Sequence, residues 1–264
     1  KRKDGRKDGK EGGLSEATLL KHYKKLKQAL SFAVRNRYIA ANPADPVESP
    51  KIDRRRNNTI VALTKEEISK LLDVAKEDDP LLHDFIYLAV HTGMRKSELL
   101  GLEWDNVDFE NKKIRVRQAL VGEKGNGSVL RESTKTANSN RNIDITDEIV
   151  EVLKKRKEKQ EEFKEFLGDN YHDEYNLVFC KEDGEKYYPD RYNVRYAELR
   201  DKAGLDKEKT IHTLRHTHAS ILLQLNEHPK IVQERLGHAS ITQTMDTYSH
   251  LIPTLQAEAA EKAS

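Results

Sequence analysis

The chain has 264 residues, enough for one large domain with a smaller companion, and its 36% apolar content supports a core beneath a densely charged surface with a net charge of +2. A single cysteine, Cys180, excludes an internal disulfide framework and fits a reducing compartment. No apolar run is long enough for a transmembrane helix or a secretory signal.

The first ten residues carry six basic and two acidic groups, and Lys51 to Arg56 adds four basic groups against Asp53. Either cluster suits phosphate contact or a solvated tail and linker. Lys1 opens the chain in place of Met, so the sequence is expected to be part of a longer protein. Residues 14–36 space Leu19, Leu20, Tyr23, Leu26, Leu30, Ala33 and Val34 as on one helix. Asn42-Pro43 and Asp45-Pro46 end that pattern. Residues 1–48 are therefore expected to be part of a small helical domain, 49–60 a polar linker, and 61–264 the main domain. Thr64 and Glu67 form a capping-box pattern ahead of Ile68, Leu71, Leu72 and Ala75. A second apolar helix is predicted from Leu81 to His91, and a third begins at Arg95 after a break at Gly93. From Lys112 the period changes: Ile114, Val116, Val129, Leu130, Ile143 and Ile145 predict a small antiparallel sheet of about three strands. Helical spacing returns over 147–167, over 189–203 and through most of the remainder. The charged stretch 154–165 reads as a solvated helix face. Cys180 follows Leu177-Val178-Phe179 and reads as core packing. The fold class is mainly α with one small three-stranded antiparallel sheet.

Three segments carry candidate chemistry. In HTGMRKSELLGLEW (91–104), Gly93 can adopt a left-handed conformation that places Arg95 at the mouth of a helix. Its guanidinium fork can hold two phosphate oxygens, and Glu98, one turn later, can orient it; the competing reading is a surface arginine with an i, i+3 salt bridge. In TIHTLRHTHASILLQL (210–225), His212 and Arg215 share a helix face and make an oxyanion or phosphate site. His212 and His216 also have the i, i+4 spacing of metal ligands, but an arginine and no glutamate lies between them, so no metal is expected. His216 and His218 read as supporting or core histidines. In HPKIVQERLGHASITQTMDTYSH (228–250), Pro229 suits a first helical turn and Gly237 a C-terminal cap. Ser240 or Thr242 starts the next helix, His238 sits on the tight connection, and Tyr248 falls late in that helix. Of ten tyrosines, Tyr248 is read as the one in a polar setting beside the phosphate site. The same segment also fits a helix-turn-helix that reads DNA without catalysis.

The segments TGMRKSEL, HTLRHTHAS, LGHAS and TMDTYSHL, in this order and spacing, resemble the catalytic boxes of the tyrosine recombinases. They are most similar to integrases of temperate phages and conjugative transposons. The resemblance covers about residues 60–253. It implies the tyrosine-recombinase catalytic fold with a partial helical core-binding domain ahead of it. It assigns the first arginine to Arg95, the His-x-x-Arg pair to His212 and Arg215, the His/Trp position to His238 and the nucleophile to Tyr248. The family's hairpin lysine matches Lys135 in ESTKTANSNR, with Lys124 in the neighbouring turn as the competing lysine.

The chemistry this implies needs no cofactor. Two guanidiniums stabilise the pentacoordinate phosphorane charge, and Tyr248, whose phenol ordinarily titrates near 10, attacks. His212 takes its proton, Lys135 protonates the leaving 5′ oxygen and His238 bonds a phosphate oxygen. The implied product is a 3′-phosphotyrosine and a 5′-hydroxyl on double-stranded DNA attachment sites, made during integration or excision of a mobile element. The implied assembly is a homotetramer on DNA, with the tail 252–264 docking on a neighbouring protomer. An excisionase, a host DNA-bending protein and a place at the bacterial nucleoid in the cytoplasm, away from membranes, complete the expectation. A type IB topoisomerase would use nearly the same residues.

Overall fold

In the computed structural model, which describes residues 14–51, 60–123, 127–132 and 140–248, the chain divides into two compact units, Lys1–Thr59 and Ile60–Ser264. The first unit is built on α1 (Glu16–Arg35), where the Ser15 hydroxyl accepts from the Thr18 amide and Asn36 closes the other end. The following turn folds back on it: Asn42 Nδ2 donates to Ser31 Oγ (2.9 Å), and the Tyr23 hydroxyl donates to the Val47 carbonyl (2.8 Å).

The second unit opens on α2 (Lys65–Asp78), held by the predicted reciprocal cap: Thr64 N donates to Glu67 Oε2 at 2.9 Å and Glu67 N to Thr64 Oγ1 at 3.2 Å. Asp79 then caps α3 (Pro80–Thr92), whose proline occupies the first turn, where its missing N–H costs nothing. α3 is apolar on nearly every side and is buried accordingly; Leu82, Phe85, Ile86, Leu88, Ala89 and Val90 form the centre of the core. Phe85 meets Phe179 edge-on at 5.2 Å and Tyr192 at 4.7 Å between ring centroids. Gly93 stops α3 with φ +65°, and the short α4 (Lys96–Leu100) follows at once.

The predicted three-stranded sheet is present, antiparallel, with β1 (Val107–Asp108), β2 (Lys113–Val116) and β5 (Arg141–Asp144) in the order β1-β2-β5. A separate hairpin stands beside it, β3 (Gln118–Glu123) paired with β4 (Gly127–Glu132), so the sequence around Val129 and Leu130 belongs to a second sheet. Alternation sends Ile114 and Val116 on β2, and Arg141 and Ile143 on β5, to the buried side. Ile145 is buried just beyond β5.

Helix α5 (Asp147–Leu167) carries the charged stretch expected to be solvated. One side of it is not: Arg156 and Gln160 are buried because the segment 177–180 presents carbonyls to them. Arg156 Nε donates to the Val178 carbonyl (2.8 Å), and Gln160 bonds the carbonyls of Leu177 and Val178 and the Trp104 indole (2.7 Å). Cys180 packs there too, as expected, and burial pushes its thiol up. After α6 (Pro189–Lys202), three more helices follow among the described residues: α7 (Thr213–Gln224), α8 (Pro229–Leu236) and α9 (Ile241–Tyr248). Gly237 ends α8 in the left-handed conformation, and the Ser240 hydroxyl accepts from the Gln243 amide at the start of α9. No helix among the described residues is long and apolar enough to cross a membrane.

Candidate active site

The site is organised by the C-terminal end of α8. The last carbonyls of a helix have no partner within it and carry the negative end of its dipole. Here three consecutive ones each accept from a different arginine. Arg141 Nε bonds the Arg235 carbonyl (2.6 Å), Arg215 Nη2 bonds that of Leu236 (2.6 Å) and Arg95 Nη2 bonds that of Gly237 (3.2 Å). The arginines come from β5, α7 and the residue that opens α4.

Gly93 makes this convergence possible. Its positive φ turns the chain so that its own carbonyl accepts from Arg215 Nη1 (2.6 Å) and Arg95 follows two residues later. A side chain there would meet the His218 ring at 2.5 Å and Leu236 at 3.0 Å. The orienting role expected of Glu98 has a geometry: its carboxylate accepts from Arg95 Nη1 (2.6 Å) and from the Arg95 amide (2.9 Å). It is also gripped by Arg141 through both oxygens (2.8 and 3.1 Å), and its side chain is only 4% exposed. Burial alone would raise its pKa, but Arg141 and then Arg95 more than offset this and bring it down to about 2.

One carboxylate therefore faces three guanidiniums. Arg215 bears the consequence: burial, then the Arg95 charge, depress it to about 9, which still leaves it a cation at neutral pH. The cluster holds a surplus of positive charge around N–H donors not spent on carbonyls, because a guanidinium has five and Arg215 uses two of them on Gly93 and Leu236.

Three imidazoles border this charge. His212 sits at the N-terminus of α7, as its spacing from Arg215 requires. His238 lies on the connection from α8 to α9, where its Nδ1 shares a hydrogen with Thr244 Oγ1 (2.8 Å) and its carbonyl accepts from Gln233 Nε2 (2.8 Å). Burial, then Arg215 and Arg95, lower it to about 4. His216 sits one turn along α7 from His212, its ring perpendicular to that of His212 at 4.7 Å between centroids. Burial, then His212 and Arg215, bring His216 down to about 4 as well, so both rings are neutral at physiological pH.

Tyr248 ends α9, and its setting differs from the polar one read from the sequence. The ring is 1% exposed and packs with Ala219, Leu223, Val232 and Leu236. Its hydroxyl bonds His216 Nδ1 at 2.8 Å. The contact expected of His212 is thus made by His216, because Tyr248 packs against α7 beside Ala219 and Leu223, one turn beyond His212. Burial raises the phenol to about 12 against the opposing pull of Arg215. His218, the remaining histidine of the segment, is a core residue: its Nδ1–H donates to the Val90 carbonyl (2.8 Å), and Arg235 Nε lies 3.4 Å from its Nε2.

The structure brings together Arg95, Glu98, Arg215 and His238 around the end of α8, with His212 beside His216 and Tyr248 on the latter's other side. Lys135, the competing Lys124 and the tail 252–264 lie outside the described residues. Two contributors were not read from the sequence in their roles here. Arg141 could have been found from its parity with Ile143, which places it on the inward face of β5. His216 was read from the sequence as a metal-ligand alternative and as a supporting or core histidine, not as the partner of Tyr248. No group of three or more His, Cys, Asp or Glu side chains among the described residues is arranged to hold a metal.

The model of the phage integrase family matches residues 62–254. The chain is 32% identical, over 89% of its length, to a XerC-like tyrosine recombinase of Caldanaerobacter subterraneus, of which it covers 63%. It is 30% identical, over 98% of its length, to the ICEBs1 integrase of Bacillus subtilis, of which it covers 68%. The chain thus spans about two thirds of the length of these curated relatives. Its structure superposes on that of the Tn1549 transposon integrase in complex with a circular intermediate DNA, with a TM-score of 0.79 and 27% identity, over 96% of this chain and 81% of that one. The convergence of cations on one helix end, beside a buried tyrosine, therefore sits in a chain that belongs to the phage integrase family of tyrosine recombinases.

Proposed function

We propose that this chain is the DNA-cutting and rejoining part of a site-specific recombinase, an integrase that moves a mobile element through a 3′-phosphotyrosine intermediate. One observation carries the reading: three guanidiniums against a single carboxylate at the end of α8, next to a tyrosine hydroxyl held by an imidazole. A phosphodiester resists cleavage because it is anionic and its leaving alkoxide is poor. Arg95 and Arg215 take its non-bridging oxygens, and their charge stabilises the pentacoordinate state more than the ground state. His212 and His238 add hydrogen bonds to the same oxygens. Tyr248 attacks phosphorus, and Lys135 gives a proton to the departing 5′ oxygen. The covalent intermediate conserves the phosphodiester, so no nucleotide cofactor is consumed, and the arginines do the electrostatic work that a metal does elsewhere.

The partner is double-stranded DNA at attachment sites. Support comes from relatives that are integrases and from the likeness to an integrase bound to a circular intermediate DNA. Residues 1–48 contribute to a clamp on that DNA, 49–60 link the two parts, and 61–264 hold the chemistry. Exchange between two duplexes needs four such sites, hence a homotetramer in which the tail 252–264 docks on a neighbour. An excisionase and a host DNA-bending protein set direction and geometry at the bacterial nucleoid. The test is a nicked suicide duplex carrying the attachment site, followed by denaturing electrophoresis. A covalent adduct that disappears in Tyr248→Phe is expected; no adduct on any cognate site rejects the reading.

A further inference from the structure

We infer that His216, and not His212, receives the Tyr248 hydroxyl proton as the tyrosine attacks. This rests on the reading of the chain as a tyrosine recombinase and names a residue that reading leaves unassigned. Among the described residues, the hydroxyl has one hydrogen-bond partner, His216 Nδ1, at 2.8 Å. The His212 ring meets the His216 ring, and among the described residues no hydrogen bond joins it to the Tyr248 hydroxyl. The Tyr248 ring, 1% exposed, is packed among Ala219, Leu223, Val232 and Leu236. A general base must lie within hydrogen-bond reach of the proton it removes, and His216 alone satisfies that here.

The charges around His216 fit the role. Facing it are His212 and Arg215 on α7, Tyr248 on α9 and His238 on the connection from α8. With the site empty, burial, then His212 and Arg215, keep the ring neutral, so that Nδ1 can accept. A phosphodiester between Arg95 and Arg215 brings the negative charge that the cluster lacks. It makes the imidazolium tolerable at the moment it forms, so the base strengthens only when substrate is present. In the step, the Tyr248 O–H bond breaks and its proton moves to His216 Nδ1. The oxygen lone pair forms the bond to phosphorus, the bond from phosphorus to the 5′ oxygen breaks, and that oxygen takes a proton from Lys135. In religation the 5′-hydroxyl gives its proton back to Lys135 and attacks phosphorus, the bond from phosphorus to the Tyr248 oxygen breaks, and His216 returns its proton to that oxygen.

The experiment measures single-turnover adduct formation by the full chain on the suicide duplex, between pH 6 and 8, where Arg215 keeps its charge, in wild type, His216→Asn, His216→Ala and His212→Asn. Asn at 216 can still bond the hydroxyl through its amide but cannot take a proton, so it separates holding from proton transfer. Removal of a general base is expected to slow cleavage by about 10²–10⁴-fold. In both His216 variants the rate then climbs about tenfold per pH step as hydroxide takes over, while wild type and His212→Asn stay flat there. Thermal melts identify a misfolded His216→Ala, in which case His216→Asn decides alone. Near wild-type rates in His216→Asn, or an alkaline rise in His212→Asn instead, overturn the assignment. Failure of the underlying reading shows separately, as no wild-type adduct or one that survives Tyr248→Phe, and it takes the assignment down with it.

Discussion

Replacing Glu98 by Gln tests the charge balance on which the site stands. The wild-type carboxylate accepts from Arg95 twice and from Arg141 twice, in a setting only 4% exposed. Gln keeps the shape but offers one acceptor oxygen, turns an N–H₂ toward a guanidinium and removes the one compensating charge. A pKa held at about 2 instead of the usual 4.5 corresponds to about 3 kcal/mol of stability at neutral pH. Breaking a buried pair by removing one partner costs about 3–5 kcal/mol, in agreement. For a unit of this size, that is a fall in melting temperature of roughly 6–12 °C. The pH dependence has a definite sign. Folding depresses this carboxylate, so its contribution is complete above the unfolded value near 4.5 and vanishes as pH falls toward 2. Wild type should therefore lose the difference between about pH 5.5 and 2, and the two unfolding curves should meet at the acid end. Urea titrations across that range measure it. Inorganic phosphate should stabilise Glu98→Gln more than wild type, because the cluster then loses the carboxylate that Arg95 and Arg141 share. A loss below about 1 kcal/mol at pH 7, or a gap that persists unchanged to pH 2, would refute the account.

Other consequences are open to direct measurement. Arg215→Lys keeps a positive charge but cannot bond both the Gly93 and Leu236 carbonyls; adduct formation should fall by about two orders of magnitude, near 3 kcal/mol for one oxyanion donor, while DNA affinity in a mobility shift changes far less. Gly93→Ala forces a Cβ against the His218 ring at a left-handed φ, so its melting temperature should fall and Arg215 should lose its anchor, with both defects read in one thermal melt and one cleavage assay. Lys135→Ala should be rescued by a duplex with a better 5′ leaving group; no rescue would remove the general-acid role. Deleting 253–264 should abolish the DNA-bound tetramer seen by mass measurement, and unchanged assembly would reject tail exchange.

Much of the fold was legible because the determinants are local. The Thr64 and Glu67 cap, the αL stops at Gly93 and Gly237 and the bounds of α5 each depend on residues within a few positions of one another. The placement of Arg95 beside Glu98, of His212 at a helix start and of His238 on a tight turn followed from the same short-range logic. The buried side of α5 did not, because Arg156 and Gln160 answer carbonyls from a segment some twenty residues away.

By itself, then, the sequence determined the helices and their ends, since turn chemistry and periodicity are written within single elements, and the order of its motifs carried the resemblance to the family. The tertiary structure decided which imidazole meets Tyr248, which arginine shares Glu98 and how three cations come to rest on one helix end. Those pairings join residues 32, 43 and, for Arg95 on the Gly237 carbonyl, 142 positions apart. They depend on where α7, α8, α9 and β5 cross, and a crossing is set by packing of whole faces, which no local pattern records.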